Sequence, residues 1–290
     1  MLTACSSGSS HEEAARSMRR PIAANGGDQA SLLHELVRVA TLAPSSHNTQ
    51  CWKFRLKERS ITVEPDLARR CPAVDPDDHH LFVSLGCATE NLAQAALANG
   101  LQADARFNPA SAGAVAVNLE PTKALASPLF LAISERQCTR GDYDGKPLSS
   151  EELRLLEQAG TGRGVRVMLL TEHLAMEKVL EYVVAGNTIQ MNDPAFVDEL
   201  KAWIRFSADE AQRTGDGLFA GASGNPTMPR WLGSRMMGLF FTPKSQNERY
   251  ATRRREDLQV RKSSEQGGEN PLPRIFFQNP LFARLLDGCR

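Results

Sequence analysis

The stretch DPDDHHLFVSLGCATENLAQAALANGL, residues 75–101, limits the possible folds more than any other part of the chain. Acidic residues crowd its front, apolar residues recur along one long face, and Asn99-Gly100 supplies a stop. The spacing therefore predicts a helix whose apolar face has to be buried. Candidates to bury it stand on both sides. WKFRL and SITVEPD, short alternating segments separated by KER, predict a hairpin, and ADARF and GAVAVNLEP predict two further strands. Ahead of them LLHELVRVATLA repeats apolar residues at helical spacing and stops before Pro44, as the residue preceding a proline requires. The strands pair locally and do not alternate with helices in a βαβ series, so the expected class is α+β.

Composition narrows the function classes. At 290 residues the chain holds one large domain or two ordinary ones, with a core that needs no disulfide support. Lys+Arg and Asp+Glu are both 34, which removes the electrostatic case for non-specific binding to nucleic acid or a membrane surface. Hydrophobic residues at 41% and charged residues at 23% fit a soluble globular protein, and no apolar run has the length of a membrane span. The six cysteines are dispersed without a CxxC pair and read as free thiols. Cys71, His79, His80 and Cys87 match no zinc spacing, and adjacent histidines point to different faces, so no metal site is expected. Leu2-Thr3-Ala4-Cys5 resembles a bacterial lipobox followed by a polar tether. With one residue ahead of Leu2 there is no export signal, so either Met1 is internal to a longer secreted precursor or the match is chance. The expected location is cytoplasmic as encoded, or a cell-envelope lipoprotein if the true start lies upstream.

Residues 1–29 read as a flexible leader with one short helix, and residues 30–124 as a first structural half. From about 125 the pattern restarts. A helix near 125–135 leads into a basic turn, a capping-box helix start at Ser149 or Ser150, a strand GVRVMLLTE, and helices over roughly 173–191 and 195–213. Residues 214–245 then break with Gly and Pro before an apolar helix carrying Trp231, Met236, Met237, Phe240 and Phe241. That pattern suits a lid with hinges and an apolar underside, and more readily an ordinary core helix after a loop.

Chemistry is concentrated in PSSHNTQCW, residues 44–52, directly after the first helix. Its hydroxyl and amide groups could meet a planar ligand with polar edges while tryptophan packs behind, or they could hydrogen-bond their own backbone in a tight loop. The segment is similar to the A-P-S-x-x-N-x-Q-P-W-x-F signature of the nitroreductase family, with Ser45, Ser46, Asn48, Gln50 and Trp52 on the pattern and Cys51 in place of the usual proline. ERQCTRGDY, residues 135–143, carries arginines at i and i+4 that could hold a phosphate or simply form a solvated basic turn. Arg136, Cys138 and Arg140 resemble the family's R-x-S-x-R phosphate-binding start, with Cys138, a weaker donor, where serine is usual.

The order of the motifs, serine segment first and arginine segment about ninety residues later, resembles the Acg-type branch, in which one chain carries two nitroreductase-like halves as an internal pseudo-dimer. The resemblance implies a nitroreductase-like fold with halves at 30–124 and 125–264 and a lid at 214–245. One FMN pocket would be lined by Ser45, Ser46, Asn48 and Gln50 on one wall and Arg136, Cys138 and Arg140 on the other. It implies NAD(P)H as reductant and a small-molecule acceptor, nitroaromatic or quinone-like, with the chemistry carried by the flavin and no catalytic acid or base required. Two other readings stand beside it: an FMN-sequestering protein without turnover, and a non-catalytic envelope protein that has lost flavin. Residues 265–290 lack the continuation that the resemblance implies, so the expectation is an incomplete second half, truncated or frame-shifted, and lowered stability.

Overall fold

The computed structural model describes residues 7–22, 28–138, 148–162 and 165–240. The lipobox-like Leu2–Cys5, Arg140, and everything from Phe241 on, including the tail 265–290, lie outside the described residues. In chain order the elements are α1 (Ser7–Met18), α2 (Gln29–Ala40), β1 (Trp52–Lys57), β2 (Ser60–Pro65), α3 (His79–Ala98), β3 (Leu101–Asn108), β4 (Ala114–Pro121) and α4 (Pro128–Ile133). They continue with α5 (Ser150–Gly160), α6 (His173–Asn192), α7 (Pro194–Trp203), β5 (Ile204–Arg205), α8 (Ala208–Thr214), β6 (Leu218–Phe219) and α9 (Arg230–Phe240). The class is α+β.

The chain divides into two compact units. One contains the described residues up to 138 together with 203–227, and the other contains 148–202 and 228–240. In the first unit β1, β2, β4 and β3 form an antiparallel sheet in that order. Its strands alternate as the pleat requires: Trp52, Ile61, Val63, Val115, Val117 and Leu119 are buried, whereas Lys53, Arg55 and Lys57 face water. Register pairs Ile61 with Val117 and Val63 with Val115, placing β-branched side chains opposite one another at the sheet centre. Against this face packs α3, through Leu81, Leu85, Ala88 and Leu92, and α2 packs on α3 and joins the same core through Leu33, Leu36 and Val39.

The acidic front of α3 has a specific use. Asp75 Oδ2 accepts from Leu81 N at 3.0 Å and its Oδ1 lies 3.2 Å from His80 Nδ1, so this buried carboxylate meets the positive end of the helix. Ser84 and Thr89, both buried, donate back to the His80 and Leu85 carbonyls and leave no hydroxyl stranded in the core. The leader region contains α1, which packs on α8. Arg38 Nη1 donates to the Met18 carbonyl at 2.6 Å and Arg19 Nη1 to the Ser134 carbonyl at 3.1 Å.

In the second unit α5 opens with the expected capping box: Ser149 Oγ accepts from Glu152 N, and Glu152 Oε2 from Ser149 N at 2.7 Å. The strand expected over GVRVMLLTE is absent among the described residues. Gly162 and Val165 form one isolated bridge, and Met168 in the middle of the run is exposed. Alternation makes a strand possible, but only a partner ladder makes it stable, and among the described residues none lies beside this run. The helix expected over 195–213 is two helices, α7 and α8, separated by β5. No helix among the described residues is long and apolar enough to cross a membrane.

Candidate functional site

After α2 the chain turns tightly: Thr41 Oγ1 donates to the Arg38 carbonyl at 2.7 Å, Leu42 N to Val39 O and Ala43 N to Ala40 O. Pro44 ends any helical continuation, Ser45 is extended, and Ser46–Asn48 make one 3-10 turn closed by Asn48 N to Ser45 O at 2.9 Å and Thr49 N to Ser46 O at 2.9 Å. Ser45 Oγ accepts from Gln50 N at 3.1 Å.

The backbone of this loop is unusual. His47 (φ 48°), Asn48 (φ 51°) and Gln50 (φ 53°) are all left-handed without being glycine. Such conformations cost on the order of 1–3 kcal/mol each, least for asparagine, and persist only where the surroundings over-determine them. The surroundings do so here from three sides within the first unit. Asn48 and Gly217 bond reciprocally: Nδ2 of Asn48 donates to the Gly217 carbonyl at 3.0 Å, and Gly217 N donates to the Asn48 carbonyl at 2.8 Å. Gln50 Nε2 donates to Asn48 Oδ1 at 2.8 Å. From the third side Arg69 Nη1 donates to the Thr49 carbonyl at 3.0 Å and to Asp216 Oδ2 at 2.6 Å.

Asp216 is the anchor of this arrangement. Buried beside Arg205, its Oδ1 accepts from Nη2 at 2.6 Å and from Nε at 3.0 Å, while Thr214 Oγ1 accepts from the same Nε at 3.0 Å. The Arg205 guanidinium also stands over the Trp203 ring, 5.6 Å from its centroid. Burial pushes the Asp216 carboxyl up, but hydrogen bonds from Arg205, Thr214 and Arg69 together outweigh it and hold the group below the ordinary carboxylate value. Because the folded-state value is the lower one, the charged carboxylate stabilises the protein at neutral pH, and that contribution is lost as pH falls through the folded value. Chemical unfolding measured downward from pH 7 is expected to show the stability gap between the wild type and Asp216→Asn closing below about pH 4.

Six of the seven residues singled out in the sequence lie in this one unit. Ser45 and Ser46 are half-buried, and neither side chain donates to another described residue. Asn48 is exposed, yet its amide is engaged with Gly217 and Gln50. Arg136 Nη2 donates to the Leu42 carbonyl at 2.8 Å, three residues ahead of Ser45, and Nη1 points to Cys138 Sγ at 3.7 Å. Both Arg136 and Cys138 are exposed, so further guanidinium N–H groups face water. Arg136 therefore contacts the chain at Leu42, just ahead of the serine segment, across 94 residues of sequence. Arg140 is outside the described residues.

Two neighbours complete the picture. Cys71 Sγ lies 3.6 Å from His47 Nδ1. Burial pushes the Cys51 thiol up, against smaller opposing effects of hydrogen bonds with Thr49 and Ser84, so it stays protonated and packs as a small apolar group. Sequence reasoning missed Arg69, Arg205, Asp216 and Gly217. One local signal was present: Ser207 Oγ accepts from Glu210 N at 3.2 Å as an N-cap, which marks a helix start at Ala208 inside what reads as one continuous helix.

Fold and site together define an α+β protein whose second helix ends in a strained, polar loop with a guanidinium held at each end, by Leu42 and by Thr49. No family model matches the chain. The chain is similar to proteins of two Mycobacterium tuberculosis strains, CDC 1551 / Oshkosh and H37Rv, which both carry a provisional NAD(P)H nitroreductase name. Each is 26% identical over 182 residues, covering 60% of this chain and 51% of the relative. The chain thus spans about half the length of the curated relatives it matches. The similarity is to proteins of nitroreductase-like name.

Proposed function

We propose that the chain is an FMN-dependent oxidoreductase of nitroreductase type, using NAD(P)H to reduce a nitroaromatic or quinone-like acceptor. The observation that carries the proposal is the hydrogen bond from Arg136 to the Leu42 carbonyl, three residues ahead of the Ser45–Gln50 loop. Similarity to proteins named as NAD(P)H nitroreductases supports it. The donor set fits a flavin phosphate and ring edge: two serine hydroxyls that donate to no described residue and an exposed guanidinium. In this reading Ser45 and Ser46 meet the polar edge of the ring, and Arg136 holds the phosphate with Arg140. Cys138 supports Arg136, while Asn48 and Gln50 keep the loop in shape. Residues 30–124 and 125–264 are the two nitroreductase-like halves of an internal pseudo-dimer. Bound flavin supplies hydride and electron transfer between nicotinamide and acceptor. The chain itself contributes binding, orientation and positive charge, and needs no titrating side chain.

The test is the visible spectrum of the chain purified without added flavin and then titrated with FMN. A retained flavin band, with affinity lowered at least about tenfold in Arg136→Ala, is the expected result, the size corresponding to one lost charge-assisted hydrogen bond. NAD(P)H oxidation should accelerate when a simple quinone is added. A folded protein that binds no FMN overturns the proposal, and tight FMN with no NAD(P)H oxidation shifts the reading to flavin sequestration.

A further inference from the structure

We propose that residues 203–217 form a clasp that imposes the binding-competent shape of the Ser45–Gln50 loop, with Arg69 and Asp216 as its positioning residues. The loop holds three left-handed residues that are not glycine, a conformation that short-range chemistry does not favour. Its own bonds, Asn48 N to Ser45 O, Thr49 N to Ser46 O, Gln50 N to Ser45 Oγ and Gln50 Nε2 to Asn48 Oδ1, all close within the loop and do not tie it to the rest of the unit. The added constraint comes from far along the chain. Asn48 is gripped through both its backbone carbonyl and its side chain by Gly217, 169 residues away. Thr49 is gripped through its carbonyl by Arg69, whose Nη1 also reaches Asp216.

The clasp is itself rigid. Gly217 adopts φ +82°, and a Cβ there would stand 2.5 Å from the Trp203 carbonyl oxygen and 2.8 Å from the Arg205 guanidinium carbon, so only glycine fits. Asp216 is held by the buried two-bond pair with Arg205, and β5 pairs with β6 in parallel, Ile204 with Leu218 and Arg205 with Phe219. A rigid segment carrying a carboxylate and an open backbone N–H and C=O pair is matched to a strained loop offering the complementary groups. The charged groups around Asp216 are Arg205 and Arg69, and Arg69 also faces Asp66, which pairs with Lys53. Arg69 is partly exposed, so replacing it removes the link without leaving a fully buried charge unpaired.

The bearing of the clasp on flavin rests on the function proposed above; the clasp itself does not. Amide hydrogen exchange of the peptide covering Ser45–Cys51, compared with that covering Ile61–Val63 in β2, separates the two. In Arg69→Met and in Asp216→Asn the loop peptide is expected to exchange at least about tenfold faster, the size of one charge-assisted hydrogen bond, while β2 is unchanged. The double variant should add little, because both substitutions break the same link. Arg69→Lys keeps the charge but loses the planar fork and should fall between. Should Asp216→Asn fail to fold, Arg69→Met decides. If loop exchange stays at the wild-type rate in folded Arg69→Met, the clasp is overturned. FMN titration of the same variants should show a weakening of similar size. Faster exchange with unchanged FMN affinity overturns the positioning role. A wild type that binds no FMN removes the flavin reading and leaves the clasp to stand or fall on exchange.

Discussion

Arg205→Met is expected to lower the unfolding free energy by about 3–5 kcal/mol, because it leaves the Asp216 carboxylate buried without its main partner. Loss of attraction is only part of the effect. The larger part is that Asp216 can neither be rehydrated nor ionise cheaply where it sits, and Arg69, through a single Nη1, is left as its charged partner beside the Thr214 hydroxyl. Urea unfolding followed by far-UV circular dichroism measures the loss. The same reasoning makes a second, opposite expectation. Arg205→Met combined with Asp216→Leu should recover much of the stability, since an apolar pair of similar volume carries no desolvation cost and the partly exposed Arg69 can turn to water. A double variant as unstable as the single one would mean that the pair contributes shape and not charge.

Gly217→Ala is expected to cost at least about 2 kcal/mol, from the left-handed backbone and from the contact its methyl would make with the Trp203 carbonyl oxygen. The oxygen belongs to the backbone where α7 gives way to β5, so relief requires the chain to move and not merely a side chain to rotate. Because Gly217 N and O are both bonded to Asn48, the displacement should pass directly into the loop. Thermal unfolding reads the stability loss. A stability equal to that of the wild type would show that residues 215–219 are not packed as described.

The hairpin β1–β2, strands β3 and β4, and helices α2 and α3 were legible in the sequence because their signals are local. A strand alternates, a helix repeats, and the turn between β1 and β2 spans only Glu58-Arg59. The capping box of α5 was legible for the same reason, as both of its hydrogen bonds close within four residues. GVRVMLLTE was misleading because alternation describes what a segment can pair with, and pairing needs a neighbour that the segment does not specify. The helix read over 195–213 ran through β5 because Ile204, Arg205 and Phe206 fit a helical face as well as they fit a short strand. What divides them is the parallel partner β6, fourteen positions on for Ile204↔Leu218.

The candidate site divides along the same line. The polar character of PSSHNTQCW, its position at a helix end and the basic character of ERQCTRGDY all follow from residue types and short spacings, which act through bonds made within a turn. Where Arg136 reaches the chain just ahead of the loop, and what holds the loop in shape, follows from contacts 94, 147 and 169 residues apart: Arg136 with Leu42, Arg69 with Asp216, and Asn48 with Gly217. A strained loop is not written in its own residues, because the few bonds it closes on itself do not offset the strain of left-handed His47 and Gln50. It exists because the rest of the packed unit supplies partners whose geometry makes any other conformation lose more hydrogen bonds than it relieves strain.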